Sequence, residues 1–144
     1  EWKTIDYHEN DIEKKYDKVY KIMSSSLFVV HENDLLQLAK KIMEWKDIQH
    51  IPVVDKHNHV VGVIEKQQFV TADFNSKEFK NKVAKSIMTK KFDVVNTEAS
   101  YQKVKELIET TDNTCVIVLN EEKLAGIFTK SDLERIEKIK NNND

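Results

Sequence analysis

The feature that most constrains this chain is an internal repeat. Ile22-Met23 returns as Ile87-Met88, and Val29-Val30 as Val94-Val95, both at an offset of 65 residues. Gly62 pairs with Gly126 at an offset of 64, which places a one-residue shortening in the second copy's hairpin turn, at Asn120-Glu121-Glu122. A copy of that size can bury only part of its apolar faces alone, so two copies packed together are the expected solution.

Within each copy the apolar pattern predicts strand, helix, strand, strand, helix. In the first, Leu27 to Val30 reads as a strand. Leu35, Leu36, Ala39, Ile42 and Met43 recur at helical spacing behind the candidate caps Asn33 and Asp34. Ile51 to Val54 and Val60 to Ile64 flank a polar turn, Asp55 to His59, as the strands of a hairpin, with Pro52 suited to a strand's first residue. Lys66 to Ala72 reads as a short helix. The second copy repeats this order with Tyr101, Val104, Leu107 and Ile108 on a helix, and with Val116 to Leu119 and Lys123 to Phe128 as strands. Ahead of both, Ile12, Tyr16, Val19, Tyr20 and Met23 predict a leading amphipathic helix, and Phe79 with Val83 marks Phe74 to Lys85 as a packed linker. The expected division is an N-terminal helix (1–21), repeat one (22–73), linker (74–86), repeat two (87–140) and a polar, fraying tail (141–144). The expected fold class is α/β in the α+β sense, a pseudo-twofold pair of repeats.

Composition narrows the function classes. A net charge of −2 offers no basic surplus for nucleic acid or an anionic membrane. The longest apolar runs, such as Val60 to Ile64, are far too short to insert in a bilayer. Cys115 is the single cysteine, which excludes an internal disulfide and points to a reducing, cytoplasmic setting. The chain starts at Glu1 rather than methionine, which leaves open whether a longer protein surrounds it.

These motifs resemble the CBS-domain family, specifically the tandem pair called a Bateman module, over about Ile22 to Glu134. The matching residues are Ile22-Met23-Ser24 and Ile87-Met88-Thr89, the strand Ile51-Pro52-Val53-Val54-Asp55 and its degenerate copy Val116 to Asn120, and Gly126-Ile127-Phe128-Thr129-Lys130-Ser131-Asp132. The resemblance implies a regulatory, non-catalytic module that senses an adenosine-containing ligand in one cleft where the repeats join. Asp132 would accept the ribose hydroxyls through its carboxylate, and Thr129 would bond the ribose or α-phosphate near a helix start that favours anions. Ser26, Leu27 and Phe28 on one side and Gln49, His50, Ile51 and Pro52 on the other would form the adenine slot, with Lys130 as a compensating cation. Glu65 and Gln68 occupy the corresponding positions of repeat one, so one well-formed site is expected. Candidate ligands are AMP, ADP, ATP and S-adenosylmethionine, none a required cofactor. A monophosphate leads, because Thr114 and Cys115 stand where relatives holding several phosphates place His or Arg. The family also implies a homodimer through its helices, and an effector domain or partner protein that reads the bound state.

Competing readings stand beside each of these. Thr129-x-x-Asp132 also has the form of a helix capping box. His50 fits a satisfied histidine at the core edge as well as a cleft residue. His57-x-His59 lacks a convincing third ligand, so no metal site is expected. Trp2, Trp45 and Cys115 read as packing residues. The alternative function is a structural dimerisation or protein-interaction module whose clefts stay empty.

Overall fold

The computed structural model describes residues 15–142 apart from 26, 71–76 and 114. The chain divides into one unit spanning Ser26–Phe92 and another joining Glu1–Ser25 to Asp93–Asp144. Its family resemblance is met by a mixed α/β architecture with a three-stranded sheet in each unit.

In the Ser26–Phe92 unit, β1 (Val30–His31), β2 (His50–Val54) and β3 (Val60–Glu65) lie in that order, β1 parallel and β3 antiparallel to β2. Helix α1 (Leu36–Lys46) turns Leu36, Ala39 and Met43 inward, where they pack in one core with Val30, Ile51, Val53, Ile64 and Phe69. Leu35 is instead half exposed and serves as the N-cap without a side-chain bond. Asp34 turns its carboxylate to the His31 N–H, at 2.8 Å, while Leu36 N–H donates to the Lys82 carbonyl. The cap expected from Asn33 or Asp34 is thus replaced by a backbone contact. Phe79, on the single-turn helix α2 (Lys77–Lys80), and Ala84 complete this core.

Pro52 is the third residue of β2, not the first. Its partner Val63 exchanges both backbone hydrogen bonds with Thr89, so no ladder bond to β3 is lost where proline lacks its N–H. The expected strand Leu27 to Val30 is regular only at Val30, and the described helix after β3 is a 3-10 turn, Lys66–Phe69. Trp45, read as a packing residue, is largely exposed with the Lys46 ammonium 4.0 Å from its ring centroid.

The other unit orders β4 (Phe92–Asn96), β5 (Cys115–Asn120) and β6 (Lys123–Thr129). Helix α3 (Tyr101–Thr110) is capped by Ser100, whose hydroxyl accepts from Lys103 N–H at 3.1 Å. Helix α4 (Lys130–Asn142) carries the chain into residues expected to fray. Val104, Val116, Val118, Phe128, Leu133 and Ile136 fill the core. Tyr101 donates to Glu137 Oε1 at 2.7 Å, and Lys105 pairs with the same oxygen, so α3 and α4 are joined at their exposed edge.

Two hairpins carry the expected one-residue difference. Val54 pairs with Val60 and Leu119 with Leu124, each just past a register shift at the same place in the repeat. Asp55 organises the longer turn by accepting the His57 and His59 N–H groups on Oδ1. The shorter turn places Glu121 and Glu122 at positive φ, 50° and 70°, as a two-residue turn of the I′ kind requires.

The Ile-Met segments bind the hairpin of the opposite sequence copy. Ser24 exchanges both backbone bonds with Ile127, and the Met23 side chain covers Gly126; Thr89 does the same with Val63, and Met88 covers Gly62. A Cβ on either glycine would enter the methionine side chain, which is why both copies have glycine there. This pairing also corrects the leading helix. Its Ile12 lies outside the described residues, but the α-helical assignment ends at Lys15, Lys18 is extended and bridges Ser100, and Val19–Lys21 forms a separate 3-10 turn. Backbone bonds from Val19 to Ala99 and Ser24 to Ile127 hold this stretch against the sheet and leave no room for a continuous α-helix.

Candidate functional site

Strand β6 ends at Thr129 and α4 begins at Lys130, so the helix start must satisfy its free N–H groups with nearby side chains. Thr129 and Asp132 do this reciprocally. Asp132 Oδ2 accepts from Thr129 N–H at 2.9 Å and from its hydroxyl at 3.2 Å, and Asp132 N–H points back at the Thr129 oxygen at 3.5 Å. The capping box is therefore formed, and it defines what remains for a ligand. Oδ2 already carries two donors, and the Thr129 proton is committed. Asp132 is 7% exposed, the only polar or charged residue in the buried set of described residues. Its Oδ1 carries the single contact with Arg135 Nη2, at 3.3 Å. Lys130 is exposed on the first turn.

Arg135 is the site residue that motif reading missed. The same nitrogen that faces Asp132 donates to the Ile22 carbonyl at 3.3 Å, tying the helix start to the Ile-Met segment. Its signal in the sequence was the acid–base pair at i and i+3 on one helix face.

The corresponding start in the other unit is built differently. Glu65 caps the 3-10 turn, and Gln68 Oε1 accepts the Glu65 N–H at 2.8 Å, forming a second capping box. Gln68 Nε2 then donates to the Ile87 carbonyl at 2.7 Å. Both ends of the amide are thus engaged. Across the strand pair, His50 Nε2 lies 3.5 Å from Glu65 Oε1, where the other unit pairs Cys115 with Thr129.

The remaining expected residues fall as follows. Ser26 lies outside the described residues. Leu27 and Phe28 are half-buried ahead of β1, with Phe28 against the core and the Lys46 ammonium 5.1 Å from its ring centroid. Gln49 is exposed and accepts Lys66 N–H on its carbonyl at 2.8 Å, and His50, Ile51 and Pro52 follow along β2, the last two buried. His57 and His59 sit 6.1 Å apart, and no group of three or more His, Cys, Asp or Glu suited to a metal occurs among the described residues. No helix among them is long and apolar enough to cross a membrane.

The family model of the CBS domain matches residues 19–74 and again 84–138. The chain belongs to the CBS-domain family, as a tandem pair. It is 28% identical over 126 residues to inosine-5′-monophosphate dehydrogenase of Methanocaldococcus jannaschii, covering 88% of this chain and 24% of that protein. The chain thus spans about a quarter of the length of this curated relative. Among solved structures, CBSX2 in complex with AMP aligns with a TM-score of 0.71 at 24% identity, over 85% of this chain and 98% of that one. The CBS domain pair of protein MJ0100, in complex with 5′-methylthioadenosine and S-adenosyl-L-methionine, gives 0.72 at 24% identity, over 85% and 97%. These likenesses establish the fold.

Proposed function

We propose that this CBS pair is a regulatory module that senses an adenosine-containing ligand, an AMP-like or adenosyl compound, through Asp132. The observation that carries the reading is a nearly buried carboxylate at a helix start whose Oδ1 is contacted only by a largely exposed arginine among the described residues. Such an oxygen accepts and does not donate, so it suits the hydroxyls of a ribose. The ligands bound by CBSX2 and by the MJ0100 pair all carry that sugar. Lys130, exposed on the first turn of the same helix, is proposed to contact a phosphate. Two conformational states that bind the ligand with unequal affinity would then be read by an attached or associated effector.

Thermal shift with adenosine, AMP, ADP, ATP and S-adenosylmethionine tests this. One of them is expected to raise the melting temperature, and Asp132→Ala to abolish that rise while the unliganded variant still melts cooperatively. A flat panel would end the sensor reading. The closed Glu65–Gln68 box favours a second reading, a dimerising interaction module, which a monomer in light scattering at high concentration would contradict.

A further inference from the structure

We propose that Arg135 is a positioning residue that couples occupancy of Asp132 to the Ile22–Ser24 segment, an inference that rests on the adenosyl reading above. One guanidinium nitrogen contacts both Asp132 Oδ1 and the Ile22 carbonyl, each at 3.3 Å. These are long for charge-assisted bonds, which favour about 2.7–2.9 Å. Arg135 is also 56% exposed, so water readily takes over its donors when it leaves. A vicinal diol placing both hydroxyls on Asp132 needs both lone pairs of Oδ1, because Oδ2 is filled by the Thr129 amide and hydroxyl. Arg135 occupies one of those positions. The diol therefore displaces the guanidinium, and the Ile22 carbonyl loses its donor in the same step.

What is released is a specific piece of chain. Ile22 closes the 3-10 turn Val19–Lys21, and two residues later Ser24 begins the backbone exchange with Ile127. Loosening at Ile22 is thus transmitted to the residues that lead into the repeat. The other unit shows the uncoupled version of the same contact. There Gln68 reaches the Ile87 carbonyl directly, from the position equivalent to Asp132, with no third residue in between. A carboxylate cannot donate, so an aspartate at this position requires a third residue to hold the carbonyl. That requirement is what makes the contact displaceable.

The experiment uses adenosine as the ligand and compares the chain with Arg135→Met by hydrogen exchange and by binding affinity. Without ligand, Arg135→Met is expected to speed amide exchange across Met23–Ser25. In the unsubstituted chain, adenosine is expected to produce the same acceleration, and in the variant to add nothing. Adenosine should also bind the variant about three- to tenfold more tightly, since a competitor for Oδ1 is gone; a merely structural arginine would not improve binding when lost. If Arg135→Met lacks a cooperative melt, Arg135→Gln carries the same readouts with the charge removed and one donor kept. Adenosine binding without a change at Met23–Ser25, or an unchanged or weaker affinity in the variant, overturns the coupling and leaves the adenosyl reading standing. No adenosine binding, with exchange still accelerated in the ligand-free variant, overturns the site reading and the coupling with it.

Discussion

The two helix starts, Glu65-x-x-Gln68 and Thr129-x-x-Asp132, occupy the same place in the repeat and cap their helices the same way, yet differ in what they leave open. Gln68 accepts with its oxygen and donates with its nitrogen, so its amide closes the cap and the Ile87 contact together. Asp132 can only accept, leaving the corresponding Ile22 contact to Arg135. One functional group thus separates a start whose third residue holds the Ile-Met carbonyl itself from one whose third residue keeps acceptor capacity to spare. The strand residues beside them follow suit: charged Glu65 faces His50, whereas neutral Thr129 faces Cys115.

The largest effect should come from the glycines under the methionines. On Gly62, an added Cβ would come within 2.9 Å of Met88 Cβ, an atom that moves only with its backbone, in addition to the Met88 sulfur. On Gly126 the nearest atoms are Met23 Sδ, Cγ and Cε, the flexible end of the side chain. Gly62→Ala is expected to cost about 2–3 kcal/mol and Gly126→Ala about 1 kcal/mol, measured by urea unfolding. Equal losses would show that the two methionines yield alike and that this asymmetry is not real.

A second test acts on the helix starts themselves. Gln68→Ala strips the Ile87 carbonyl and the Glu65 N–H of their partners at a half-buried position, and should cost about 1–2 kcal/mol. Thr129→Ala leaves the Asp132 cap and the Arg135 tether in place and should cost about 1 kcal/mol. Denaturant midpoints decide the order, and a costlier Thr129→Ala would reverse the claim that the first start is the more tightly closed.

How far the sequence revealed this arrangement depends on which interactions leave a local trace. The repeat, the hairpins and their one-residue difference were legible because apolar alternation and turn length are local properties, and Val54–Val60 against Leu119–Leu124 reproduces that difference. The capping box was legible because its partners are three residues apart. The partner of each Ile-Met segment was not. Periodicity reports that Met23 is apolar, not that it lies on Gly126 rather than on the glycine of its own copy. The leading helix does not extend through Met23 for the same reason, since Val19, Tyr20 and Met23 fit helical spacing while backbone bonds to Ala99 and Ile127 hold that stretch in another form. In the candidate site, Thr129 and Asp132 carried their own signal, but the contact of Arg135 with Ile22 spans 113 residues and left only its short-range half, the pairing with Asp132, to be read.

The smallest expected effect concerns acid. Tyr101 stands in the repeat where the other unit has Leu36, and its hydroxyl brings a carboxylate with it. Lys105 first, and Tyr101 second, hold the Glu137 carboxyl below its ordinary range, while burial, followed by the Glu137 bond, pushes the Tyr101 hydroxyl up. A carboxylate with a depressed folded-state pKa contributes stability above its unfolded value of about 4.3, and that contribution fades as pH falls through the folded value. Because Glu137 is partly exposed, solvent screening limits the contribution to about 0.5 kcal/mol. Between pH 6 and pH 3, Glu137→Gln should therefore lose less stability than the unsubstituted chain, by that amount. Opening of the α3 and α4 amides, read as loss of protection after correction for the intrinsic exchange rate, should rise with acid before that of α1, whose Leu36 has nothing to titrate. If α1 opens first or with them, the acid response is set elsewhere than at the Tyr101–Glu137–Lys105 contact.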